Sequence, residues 1–155
     1  MGLTHSPKYR WTVLAMGFLA VFGALGLGRF GYSAILPSMQ KDLDISSAAA
    51  GSLASWNLGG YMIMVGIGGI LASRFGPRKV VSIGLVVTAL GMLLTGLSGG
   101  LFSASAARLL TGLGSGMVLV PSVALMSAWF DIRRRGMASG VVTSGPALAL
   151  VIVGR

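Results

Sequence analysis

The sequence contains no cysteine, which excludes a disulfide framework and thiolate chemistry but leaves the compartment open. Acidic residues are almost as scarce, with only Asp42, Asp44 and Asp131 present, and the single histidine is His5. Paired carboxylates, a metal-ligating cluster or a Ser/His/Asp set therefore cannot be assembled within the apolar stretches. No enzyme activity, no cofactor and no metal is expected, and His5 reads as a solvated tail residue. Charged residues make up only 10% of the chain, too few for an ordinary soluble domain.

Apolar residues are abundant instead: 54% of the chain is hydrophobic, and the mean hydropathy is +0.86. The 25 glycines fit the same picture, because small residues let helix backbones approach closely in membrane bundles. Apolar runs divide the chain into about five candidate spans, over residues 11–36, 48–72, 80–97, 101–127 and 136–155. Each is near the roughly 20 residues needed to cross a hydrocarbon core of about 30 Å. The expected fold is all-α, a polytopic transmembrane helix bundle over residues 11–155 preceded by a tail over residues 1–10, with the lipid bilayer as its first partner.

A net charge of +9 raises nucleic acid as a partner, but the cations sit in short clusters between apolar runs, without a basic face or stacking platform. Membrane topology explains them better, and no nucleic acid is expected. Lys8 and Arg10 precede the first span, Arg74, Arg78 and Lys79 follow the second, and Arg133, Arg134 and Arg135 follow the fourth. The positive-inside rule places these segments, and so the N-terminus, in the cytoplasm. The segment holding Lys41, Asp42 and Asp44 and the uncharged stretch 98–100 then face outward. A basic start before an apolar run also suits a signal peptide, but this run outlasts a usual apolar region of 7 to 15 residues, and more spans follow.

Rows of small residues four apart suggest helix contacts: Ser47, Gly51, Ser55 and Gly59; Gly112 and Gly116; Gly136, Gly140 and Ser144. In a chain so rich in glycine, chance explains any single pair equally well. An odd number of spans stopping at Arg155 suggests a truncated longer chain, the alternative being a complete small protein.

Gly26, Gly28 and Gly31 satisfy G-x-G-x-x-G, a pattern that cradles pyrophosphate where a strand meets a helix. Here no strand precedes them and no acid stands about 20 residues on, so dinucleotide binding is not expected.

Residues 69–79, from Gly69 to Lys79, form the most specific local pattern. Gly76 and Pro77 suit a tight turn, and the cations Arg74, Arg78 and Lys79 favour the negative end of the preceding helix and the cytoplasmic side. This segment resembles the signature between the second and third helices of the major facilitator superfamily, roughly G-x-L-A-D-R-x-G-R-R/K. Gly69, Leu71, Ala72, Arg74 and Gly76 match directly, and Arg78 and Lys79 supply the basic pair after Pro77. Ser73 stands where the family usually has Asp. The resemblance implies a weakened or altered charged latch, although a serine could still cap a helix start. In the fourth span, Arg108, Gly112 and Gly114 are similar to the family's R-x-x-x-G-x-G pattern, and Gly145 and Pro146 resemble the G-P pair of a third motif whose other glycines fit poorly. The resemblance implies the first five of twelve helices, part of the N-terminal six-helix half. It also implies a secondary transporter, a symporter or antiporter, working by alternating access with the remaining helices of a full-length protein. A bacterial inner membrane is the expected location.

Arg29 and Arg108 carry the most functional weight, because a charge within a span costs at least about 2.5 to 3.5 kcal/mol on insertion scales. Both fall in the outer half when about 1.5 Å is counted per residue. The bland alternatives are that Arg29 snorkels outward with its stem along Phe30 or Tyr32, and that Arg108 only bonds backbone carbonyls. No acid in these spans neutralises either, so the expected counter-charge is an anionic substrate or a carboxylate elsewhere. A small organic anion fits best, since the arginine fork matches carboxylate geometry. Tyr32, Asn57 and Tyr61 complete the expected substrate contacts, with Trp56 a weaker candidate. Each has a plainer role as an interface anchor or interhelical bond. The rival from another class is a non-transporting helical membrane scaffold or assembly protein.

Overall fold

The computed structural model describes residues 7–42 and 44–153. The side chain of Lys8 lies outside the described residues, as do His5 and Arg155, the expected end of the fifth span. The fold is all-α, and no strand occurs among the described residues. Among the described residues, five helices are long and apolar enough to cross a membrane, spanning Tyr9–Asp42, Ser47–Phe75, Pro77–Gly96, Leu101–Trp129 and Arg135–Val153.

The first span is composite: α1 (Pro7–Val21) passes into a π-helical stretch (Phe22–Phe30) and then into α2 (Gly31–Asp42) without leaving the helical path. α3 (Ser47–Phe75), α4 (Pro77–Gly96) and α5 (Leu101–Trp129) are continuous, and the last span is α6 (Arg135–Thr143) followed by α7 (Gly145–Val153).

Lys41 and Asp42, expected in a loop, instead lie in the last turn of α2, and the helix runs on through Pro37. Apolar runs report the part of a helix that suits lipid, whereas backbone hydrogen bonding continues into polar surroundings, where Lys and Asp are well solvated. The connection to α3 is correspondingly short. Ser46 caps α3 by accepting a hydrogen bond from the amide of Ala49 at 3.2 Å. At the opposite end, Gly76 adopts φ +89° and its amide donates to the carbonyl of Ala72 at 3.0 Å. Only glycine takes that backbone conformation without strain, and Pro77 at the first turn of α4 has no amide to leave unsatisfied.

α5 is the central element, packed against α3 on one side and α4 on the other. Its glycines make this possible. A Cβ on Gly112 would collide with the carbonyl of Asn57, and one on Gly114 would come within 2.5 Å of the Thr88 amide. The Gly112/Gly116 row thus faces α3, as expected. In the other two rows, a Cβ on Gly51, Gly59, Gly136 or Gly140 would meet nothing within 4 Å among the described residues. On α3 it is Gly60 and Gly68 that meet α5. A four-residue spacing marks a helix face without saying which face is covered, and this chain has small residues on several.

Where α1 and the π-helical stretch meet α5 and α6, Val21, Val118, Met126, Ala138 and Val142 are buried in one apolar cluster. Met16, Met62, Ile70 and Leu93 lie on the outside, more than half exposed, as expected of a surface whose solvent is lipid.

Candidate functional site

The π-helical stretch, α2, α3 and α5 bring Arg29, Tyr32, Asn57, Tyr61 and Arg108 together. Arg108 is 2% exposed, and its guanidinium carbon lies 4.3 Å from the centroid of the Tyr32 ring. Its Nη1 donates to the carbonyl of Gly28 at 3.0 Å, and its own carbonyl accepts a hydrogen bond from Asn57 Nδ2 at 3.1 Å. Arg29, half-buried, stands with its guanidinium carbon 4.7 Å from the centroid of the Tyr61 ring. Each cation therefore lies on an aromatic face, an attraction worth about 0.5–2 kcal/mol depending on desolvation.

These contacts resolve the plainer alternatives individually. Arg29 places its guanidinium over the Tyr61 ring on α3. Tyr32 is buried, and its hydroxyl donates to the carbonyl of Ala50 at 3.1 Å, so it is not an interface anchor. Asn57 does bond a neighbouring helix, and through that bond it holds the backbone of Arg108. Arg108 does bond a backbone carbonyl, but with one nitrogen only: its Nε is buried without a partner, as is Nη2 of Arg29. Buried N–H groups are almost always paired in folded proteins, so two orphans on guanidinium groups of one cluster call for an acceptor. Trp56 stands apart, half exposed on a groove with Ser52, Leu101, Phe102 and Leu109.

The cluster sits off the middle of the bundle. At about 1.5 Å per residue, Arg29 lies about 5 Å beyond the centre of its helix toward Asp42. Arg108 lies about 10 Å from the centre of α5 toward Leu101.

One participant escaped the sequence pattern. Gly28, whose carbonyl holds Arg108, belongs to the glycine motif that fails as a nucleotide fingerprint, and it lies in the π-helical stretch. Such wide turns interrupt the ordinary ladder and often occur at functional sites. A Cβ on Gly28 would come within 3.1 Å of Thr88 Cγ2, so the small residue lets this turn approach α4.

The residues 69–79 segment is a separate feature at the far end of α3. Ser73 does not cap α4; its hydroxyl donates to the carbonyl of Ile70 at 2.9 Å within α3, because Ser73 precedes the turn at Gly76 by three residues. A Cβ on Gly69 would meet Val120 at ordinary van der Waals distance, and Arg74 and Lys79 are exposed. Arg78 donates to the Tyr9 hydroxyl at 3.1 Å and lies 6.0 Å from the Trp129 ring, tying α4 to the start of the first span. Arg10 pairs with Asp131 at 3.5 Å beside it.

Residues 18–154 match the family model of the Major Facilitator Superfamily. The chain is 29% identical over 147 residues to the "Probable anion transporter 4, chloroplastic" of Oryza sativa subsp. japonica, covering 94% of this chain and 24% of that protein. It is 26% identical over 154 residues to the "Probable sulfoacetate transporter SauU" of Cupriavidus necator, covering 94% and 36%. It is also 30% identical over 129 residues to the "Phosphoglycerate transporter protein" of Salmonella typhimurium, covering 83% and 28%. The chain thus spans roughly a quarter to a third of the length of these relatives.

Proposed function

Because this chain belongs to the Major Facilitator Superfamily, we propose that it lines part of the solute path of a secondary transporter for a small organic anion, working by alternating access. It is a multi-pass integral membrane protein. The observation that carries the reading is the pair of guanidinium groups of Arg29 and Arg108 inside apolar helices, each with a buried N–H lacking an acceptor. A charge placed there is expensive and marks a ligand or ion path by default. The only acids, Asp42, Asp44 and Asp131, stand at helix ends or between helices, so none lies beside the arginines. The counter-charge is then the solute or a carboxylate elsewhere in the full-length protein. The anionic solutes named for the three relatives support the former.

The roles divide by contact. Arg108 is the anchored cation, its side chain fixed by Gly28 and Tyr32 and its backbone by Asn57. Arg29 on Tyr61 is the less buried partner that meets the anion from the first span. Rocking of two six-helix halves about this site would expose it to each side in turn, with these helices contributing to one half. The cationic segments at Arg10, at Arg78 and at Arg133–Arg135 support a cytoplasmic N-terminus, and a bacterial inner membrane suits the bacterial relatives.

Uptake of organic anions by the full-length protein in proteoliposomes tests the reading. The variant Arg108→Ala is expected to lose uptake by at least about a hundredfold, because a charge-assisted contact and its fork geometry go together. Uptake equal to wild type across the anions tested removes Arg108 from the site.

A further inference from the structure

We infer that the ligand of this site carries two negative charges, presented together to both arginines; the inference rests on the anion reading above. Arg29 and Arg108 belong to different helices, yet the guanidinium of Arg108 is bonded to the carbonyl of Gly28, the residue next to Arg29. Each guanidinium has a tyrosine ring on its face, at 4.7 Å for Arg29 and 4.3 Å for Arg108. A ring on the face leaves the N–H groups, which lie in the guanidinium plane, for acceptors at the edge. One such edge donor on each residue is buried and unpaired: Nη2 of Arg29 and Nε of Arg108.

With the solute taken as the counter-charge, charge counting on these helices then selects the ligand. The tyrosines, Asn57 and the carbonyls of Gly28 and Ala50 supply dipoles and a ring face, but no formal negative charge. A singly charged anion would neutralise one guanidinium and leave the other, with its buried unpaired N–H, without a counter-charge, a costly arrangement. A doubly charged anion neutralises both and gives each orphan donor an acceptor. Two singly charged groups on a short skeleton or one doubly charged phosphoryl group satisfy this chemistry. The partial exposure of Arg29 against the near-complete burial of Arg108 makes Arg29 the cation that distinguishes the two ligand classes. One negative charge is held by the fixed Arg108, and the second is the one that Arg29 reads.

The test is equilibrium binding to the full-length protein in detergent, with matched probes: succinate against monomethyl succinate, sulfoacetate against its methyl ester, and glycerol 3-phosphate against its methyl diester. The wild type is expected to bind at least one doubly charged probe about tenfold or more tightly than its singly charged partner, the scale of one added charge pair at partly screened contact distance. In Arg29→Gln that preference is expected to fall below about threefold, while Arg29→Lys keeps most of it. Equal affinity for both members of every pair, with binding still lost in Arg108→Ala, overturns the two-charge inference and leaves the anion reading standing. A preference unchanged in Arg29→Gln also overturns it. Failure of the wild type to bind any of the six probes overturns the inference together with the reading beneath it.

Discussion

Asn57 and Gly112 bring the backbones of α3 and α5 into direct contact: a Cβ on Gly112 would collide with the Asn57 carbonyl, while the Asn57 amide donates to the Arg108 carbonyl one turn away at 3.1 Å. The helix crossing and the placement of the buried cation are therefore the same piece of structure. Moving α5 away from α3 by the width of a methyl group would also move Arg108 relative to Gly28 and Tyr32.

Gly112→Ala follows from that crossing. Alanine gains about 1 kcal/mol of helix propensity over glycine, but overpacking against backbone costs about 1–3 kcal/mol, so the clash wins or at best balances. The melting temperature of the full-length protein in detergent is expected to fall for Gly112→Ala and to hold or rise for Gly59→Ala, whose Cβ meets nothing among the described residues. Anion affinity should fall in the first variant and not in the second.

Tyr61 is the ring beneath Arg29, and its hydroxyl is not needed for that contact. Tyr61→Phe is expected to keep anion affinity within about twofold, whereas Tyr61→Leu removes the cation–π attraction and should weaken binding by about two- to thirtyfold. Isothermal titration of the variants checks the difference. Equal loss in both would mean that the hydroxyl, not the ring face, is what matters.

Much of this architecture was legible in the residues because lipid makes both rules strict: long apolar runs must be helical, and a polar group within one is costly enough to stand out. The five helices and the weight given to Arg29, Arg108, Asn57 and the tyrosines come from that. The rest depends on tertiary packing. No pattern in Gly23, Gly26 and Gly28 distinguishes a π-helical stretch from an ordinary helix, so the role of the Gly28 carbonyl was hidden. Spacing records which residues share a side, not which side is covered, so it does not separate the Gly112/Gly116 face, which meets α3, from the rows at Gly51/Gly59 and Gly136/Gly140, which meet nothing among the described residues. Lys41 and Asp42 looked like loop residues because charge marks where a helix leaves lipid, not where it ends.

The absence of cysteine makes topology directly measurable, since single cysteines can be introduced with no other thiol in this stretch. Arg78→Cys and Arg134→Cys are expected to react with a membrane-impermeant maleimide only after the cytoplasmic face is opened. Asp44→Cys and Ser98→Cys are expected to react in intact cells. Opposite sidedness of positions 78 and 134 would contradict the assignment of the cationic segments to one face.

The most direct measurement is an experimental structure of the full-length protein solved with a doubly charged organic anion of the proposed class. The predicted result is density for the anion within hydrogen-bonding distance of both Arg108 Nε and Arg29 Nη2, with the tyrosine rings still beneath the two guanidinium groups. An anion bound elsewhere, with those two nitrogens facing a protein carboxylate instead, would contradict the account.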